Sequence, residues 1–164
     1  MTEILVGLSL KFEMKITDLI QMDSIFLDSN ASSQSSMFKE ISDRISEKVK
    51  VSSNLILRRI NEREKLGSTA IGEGIAIPHA KIKGIKKTFC FLFKLHNSIP
   101  YDDNNSESVD LIFVIVAPLE FQSEHLLALS TISSFIKKGK NKSLLRKSKT
   151  VKEIYDLMNK FNED

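Results

Sequence analysis

The chain has 164 residues, 41% hydrophobic and 27% charged, with a formal net charge of +3. That is the make-up of one ordinary globular domain, able to bury roughly two thirds of its unfolded surface. No apolar run approaches the ~20 residues that span a bilayer, and Met1–Leu10 lacks the basic lead and cleavage site of a signal peptide. The single cysteine, Cys90, excludes an internal disulfide, so the expected compartment is the cytoplasm.

In chain order, Ile25-Phe26-Leu27 is a short apolar run that stops at the turn-like Asp28-Ser29-Asn30. Ten polar, serine-rich residues follow and are expected to form a loop that caps a helix. Met37, Ile41, Ile45 and Val49 recur every four residues, the spacing of one helical face. A second helix is expected after Ser52 or Ser53, with Leu55, Ile56 and Ile60 inward and its end near Gly67.

Residues 67–80 change character, carrying Gly67, Gly72, Gly74 and Pro78, and fit neither a regular helix nor a central strand. Thr88 to Leu95 is nearly continuously apolar and reads as a strand buried on both faces, as does Leu111 to Ala117. Asn97 to Ser108, with Pro100, is expected as a polar connection. Ser123 is expected to cap a helix with Leu126, Leu129, Ile132 and Ile136 inward and Gly139 at its end. Thr150 and Glu153 have capping-box spacing ahead of Val151, Ile154, Leu157 and Phe161. With no internal repeat, the alternation of strands and helices implies an α/β single-domain sandwich, a mixed sheet covered on both faces.

Lys137 to Lys152 contains eight Lys or Arg residues and no acid. Without interleaved aromatics this reads as a solvated helix face, and nucleic acid is not an expected partner.

The three histidines differ in setting. His79 follows glycines and a rigid proline in Gly72-Glu-Gly-Ile-Ala-Ile-Pro-His79-Ala80, which favours a displayed ring. His125 falls after a buried strand, at an expected helix start, where α/β proteins place ligands. His96 follows a strand and is given no role. Arg63, in Glu62-Arg63-Glu64-Lys65, is either part of a surface ion-pair patch or an anion clamp. Three histidines and one cysteine, none closely paired, lack zinc-site spacing. Neither a hydrolase signature nor a dinucleotide fingerprint is present, since Ile77 stands where a third glycine is required.

The stretch from Arg63 to Ala80, with LGSTAIGEGIAIPH at its centre, resembles the signature of the fructose/mannitol-type IIA family of the bacterial phosphotransferase system. The likeness is greatest to its nitrogen-regulatory (PtsN-like) branch. It continues through Val109-Asp110-Leu111-Ile112-Phe113, Ala117-Pro118 and Glu124-His125-Leu126, covering roughly residues 14–161. It departs at Ala80, where many relatives carry glycine.

The resemblance implies a mixed, about five-stranded β-sheet flanked by α-helices, with a IIA type-2 domain over 14–164 and an N-terminal extension of unknown role over 1–13. It implies that His79 accepts a phosphoryl group from the phosphocarrier HPr or its nitrogen-branch counterpart, assisted by Arg63 and His125. No metal and no organic cofactor is required. The expected partners are that donor and either a regulatory target protein or a IIB domain, without membrane insertion. With no IIB or membrane segment in this sequence, a phosphorylation-dependent regulatory role is expected ahead of sugar transport, and both ahead of a non-catalytic binding module.

Overall fold

The computed structural model describes residues 14–163 apart from 103, 105 and 121. The expected extension over 1–13 therefore lies outside the described residues; Met14, the first of them, packs against the core. In chain order the elements are α1 (Ile16–Leu19), β1 (Ile25–Ser29), α2 (Gln34–Val49), α3 (Ser53–Lys65), β2 (Ala70–Gly72), β3 (Ile75–Ala76) and β4 (His79–Ile82). They continue with β5 (Phe89–Pro100), β6 (Ser108–Pro118), α4 (Gln122–Lys137), α5 (Asn141–Lys147) and α6 (Val151–Glu163).

The six strands form one mixed sheet in the order β1-β5-β6-β3-β2, with β4 also on β6. The count exceeds the expected five or so because one edge is broken. β3 pairs with Leu111 and Ile112 of β6, and β4 with Ile115 to Pro118 of the same strand, both parallel. Between them lie Ile77 and Pro78. Proline has no N–H to give a ladder and is confined to such edges, yet its carbonyl still accepts from Ile115 N at 3.1 Å. The glycine-rich segment thus supplies short strands, β3 between β6 and β2 and β4 farther along β6, in place of one regular central strand.

Strand β6 shows why the core has two halves. Successive side chains point to opposite faces, so Leu111, Phe113, Ile115 and Ala117 join the core under α1, α4, α5 and α6. Ile112, Val114 and Val116 join the core under α2 and α3. β5 divides the same way, Cys90 and Leu92 to the first and Phe91 and Phe93 to the second. A strand buried on both faces reads as a continuous apolar run, which is the pattern the sequence carries.

The helix caps follow their chemistry. Ser33 accepts from Ser36 N and Ser52 from Leu55 N, each satisfying an N–H that a helix start leaves free. Met37, Ile41, Ile45 and Val49 are all buried, as their spacing demands. At α6, Thr150 Oγ1 accepts from Glu153 N at 3.1 Å, while the Glu153 carboxylate accepts from Lys149 N at 2.9 Å, one residue earlier than in a regular box.

Three expectations are corrected. The connection expected from Asn97 begins later, because β5 runs to Pro100: after a register shift, Ile99 pairs with Val109 and buries in the second core. His96 is consequently an exposed strand residue. Ser123 lies inside the first turn of α4, which begins at Gln122. Leu126 points outward with 62% of its surface exposed, and the buried stripe of α4 is His125, Ala128, Ile132, Phe135 and Ile136. The helix is rotated so that a histidine occupies an inward position that the apolar pattern assigned to leucine.

The basic run from Lys137 to Lys152 is partly neutralised. Arg146 pairs with Asp110 at 2.9 Å, Lys142 with Glu73, and Lys152 with Asp156 at 2.7 Å. The Lys142–Glu73 pair, with the Arg146 Nη2 bond to the Glu73 carbonyl, ties α5 to the β2–β3 turn, and Arg146–Asp110 ties it to β6. That turn has two central residues, Glu73 (φ 55°) and Gly74 (φ 80°), between the paired Gly72 and Ile75. Positive φ at both positions is the geometry of the two-residue hairpin that matches strand twist.

Candidate functional site

Arg63 sits on the last turn of α3, His79 opens β4, and His125 lies in the first turn of α4. The sheet edge brings these three together. Pro78 fixes the backbone immediately before His79, and the imidazole Nδ1 meets the carbonyl of Ile77 at 2.9 Å. A carbonyl can only accept, so Nδ1 carries the proton and Nε2 the free lone pair. Arg63 then donates its Nε–H to that Nε2 at 3.0 Å, while its Nη1 donates to Gly67 O at 2.8 Å. The guanidinium is anchored at one end to the loop after its own helix and at the other to the imidazole.

Burial holds His79 below the usual histidine range, and the positive charges of Arg63 and Lys81 push the same way. The Ile77 hydrogen bond and the Glu64 carboxylate pull against them. The net effect is a neutral ring at pH 7 with a nucleophilic nitrogen.

His125 stacks obliquely on His79, ring centroids 4.8 Å apart and planes at 46°. Only 7% of its surface is exposed, and its Nε2 is buried without a hydrogen-bond partner. Burial first, then the charges of His79, Lys81 and Arg63, lower its pKa to about 4. Buried polar atoms are nearly always paired, so the unpartnered Nε2 leaves His125 with hydrogen-bonding capacity to spare beside the His79 ring. His125 is therefore less exposed than a helix-start polar residue would be.

His79, Arg63 and His125 line one open cleft of about 530 Å³ with Arg59, Lys81 and Leu119. Leu66 and Leu119 are exposed at its rim, at 84% and 50%. A shallow basic floor with an apolar rim can receive an anionic group presented by another macromolecule. His96 is elsewhere, bordering a separate cleft with Lys94 and Lys149. Among the described residues, no three His, Cys, Asp or Glu side chains gather as a metal site requires.

Sequence reasoning missed two contributors. Lys81 stands two residues from His79 on β4 and so shares its side of the strand; strand periodicity would have found it. The other is a buried network behind the site, in which Glu64 accepts from Thr69 and Thr69 meets Tyr101. Thr69 and Tyr101 are 32 residues apart, and no local pattern announces their meeting.

The chain shares 30% identity over 145 residues with a nitrogen regulatory protein of Bradyrhizobium diazoefficiens, covering 88% of this chain and 95% of that one. It is 27% identical over 151 residues to the fructose-specific EIIABC component of the phosphotransferase system of Bacillus subtilis, covering 92% of this chain but 24% of that larger protein. Among solved structures it resembles the nitrogen regulatory protein IIA-Ntr of Neisseria meningitidis, with a TM-score of 0.80, 25% identity, and coverage of 87% and 98% of the two chains. Residues 18–161 match the family described as "Phosphoenolpyruvate-dependent sugar phosphotransferase system, EIIA 2". With its two histidines and its arginine converging at the broken sheet edge, the chain belongs to this EIIA family.

Proposed function

We propose that the protein is a cytoplasmic phosphocarrier that takes a phosphoryl group from an HPr-type donor onto Nε2 of His79, and that its phosphorylation state governs binding to a regulatory partner. The observation that carries this reading is the pair of contacts on one imidazole: Nδ1–H held by Ile77 O, and Nε2 facing the cleft and Arg63.

The transfer balances without any further reagent. The Nε2 lone pair attacks phosphorus as the bond from phosphorus to the donor's imidazole nitrogen breaks. The donor ring, protonated on its other nitrogen, leaves as neutral imidazole. The His79 ring becomes the phosphorylated one and keeps Nδ1–H, now with positive character that the Ile77 carbonyl accepts more strongly.

Phosphoryl transfer is mainly a matter of positioning and charge, with donors on the equatorial oxygens. Arg63 must release Nε2 as phosphorus arrives. Its Nη1 anchor on Gly67 O lets the guanidinium turn onto the incoming oxygens without leaving the site. His125, neutral at pH 7, can donate its one ring N–H to the same oxygens, and Lys81 adds positive charge.

Within this reading, residues 14–164 form the phosphoryl-accepting domain. The regulatory role is favoured by near full-length likeness to nitrogen regulatory proteins. The second reading, a transport IIA that passes phosphate to a IIB domain, is favoured by the likeness to the fructose-specific component. A pull-down with wild type, His79→Ala and His79→Asp separates the two. The regulatory reading expects partners that differ between Ala and Asp forms, since a tenfold change in affinity needs only about 1.4 kcal/mol. Identical partners for all three forms, with fast phosphate loss to a fructose- or mannitol-type IIB, would establish transport instead.

A further inference from the structure

Behind the cleft, three side chains outside the reacting set form a closed network. Both oxygens of the Glu64 carboxylate are taken up by Thr69: Oε1 accepts the Thr69 N–H at 3.0 Å and Oε2 the Thr69 hydroxyl at 2.7 Å. Because that hydroxyl donates to Glu64, the Tyr101 hydroxyl at 2.7 Å must be the donor to Thr69 Oγ1. Gln34 adds a further donor onto Glu64 Oε1 at 3.3 Å. Thr69 and Tyr101 are 5% and 1% exposed, so water cannot readily replace these bonds.

The network reaches His79 through one residue. Thr69 O accepts the Ile77 N–H at 2.9 Å, and Ile77 O is the acceptor for His79 Nδ1–H. Glu64 therefore fixes Thr69, Thr69 fixes Ile77, and Ile77 dictates which ring nitrogen of His79 holds the proton. Glu64 also adjoins Arg63 on the last turn of α3. One carboxylate thus ties the helix end bearing the guanidinium to the strand edge bearing the imidazole.

We propose that Glu64, acting through Thr69 and braced by Tyr101, is the positioning residue that locks His79 in its Nδ1–H tautomer and holds Nε2 ready for attack. This rests on His79 being the phosphoryl acceptor. A carboxylate serves better than an amide here because both of its oxygens must accept. Its negative charge also opposes burial, Arg63 and Lys81, which all lower the basicity of His79.

The test uses the full chain with Glu64→Gln, Thr69→Val, Tyr101→Phe and the conservative Thr69→Ser. Imidazole ¹⁵N shifts of His79 at pH 8, with no phosphoryl donor present, read the tautomer. Wild type and Thr69→Ser should show Nδ1–H with a bare Nε2, whereas Glu64→Gln and Thr69→Val should show a mixture. Single-turnover phosphorylation should slow roughly tenfold to a hundredfold in the same variants, the cost of a misplaced reacting group, with Tyr101→Phe less affected. Lower thermal stability with an unchanged tautomer, or an unchanged rate, overturns the proposal. Should Glu64→Gln fail to fold, Thr69→Val and Tyr101→Phe carry the comparison. Phosphorylation of a His79→Ala control would instead refute the acceptor assignment and leave the tautomer result standing.

Discussion

The Nε–H of Arg63 points at Nε2 of His79 from 3.0 Å, so a permanent cation rests on the lone pair that, in the function we propose, attacks phosphorus. The contact keeps Nε2 unprotonated and the ring aligned, and on the proposed function it must break for a phosphoryl group to reach Nε2. An arginine suits this post because it stays charged and has further donors to offer once Nε is released.

Replacing Arg63 with Ala should therefore do two opposite things to His79. Its pKa should rise, because a nearby positive charge that lowers it is removed. Its phosphorylation should nonetheless slow on the order of 10²-fold, the usual cost of losing one preorganised charge-stabilising donor. Folding should be nearly intact, since Arg63 is half-buried at a helix end. An NMR titration of His79 and a single-turnover assay check the two parts, and His96→Ala should change neither.

His125 makes stability depend on pH in a defined window. Its folded pKa is about 4, against an ordinary value of 6.5. Between these values the unfolded chain binds the proton and the folded one does not, so unfolding is favoured as pH falls from about 6.5 towards about 4. His79, also lowered, adds to the same trend. The melting temperature of wild type should drop over this range, and that of His125→Gln should drop less. Equal slopes would mean that His125 is not buried in neutral form.

Gly74 should resist substitution for reasons of backbone first and space second. A Cβ there would come within 2.7 Å of Arg146 Nη2 and 2.8 Å of Asp110 Oδ1, at φ +80°. Gly74→Ala must strain the backbone and push aside the ends of the Arg146 and Asp110 side chains, costing about 1–2 kcal/mol. Gly72→Ala faces open space at φ +92° and should cost only the conformational part, about 1 kcal/mol. Chemical denaturation of both variants gives the comparison.

Much of this architecture is legible from local pattern. The 4-residue recurrence of Met37 to Val49 and the unbroken apolar runs of β5 and β6 report burial directly, because each depends only on neighbouring residues. The same is true of the glycine and proline punctuation that displays His79. What escaped is set by distant partners. Leu126 looked inward because apolar spacing cannot say which of two adjacent stripes meets the sheet; packing gave that place to His125. The extension of β5 past His96 depends on Val109 waiting across the ladder for Ile99. Glu64 looked like one more surface charge, and only the fold brings Thr69 and Tyr101 to it.

The proposed function stands on Nε2 of His79 as the phosphoryl acceptor. Incubation with phosphoenolpyruvate, the first enzyme of the system and an HPr-type carrier, followed by intact-mass measurement, tests it most directly. A single phosphoryl group should appear, labile to acid and stable to base, and His79→Ala should remain at its unmodified mass. Phosphate on the His79→Ala variant, or an acid-stable adduct on a serine, would show that His79 is not the acceptor.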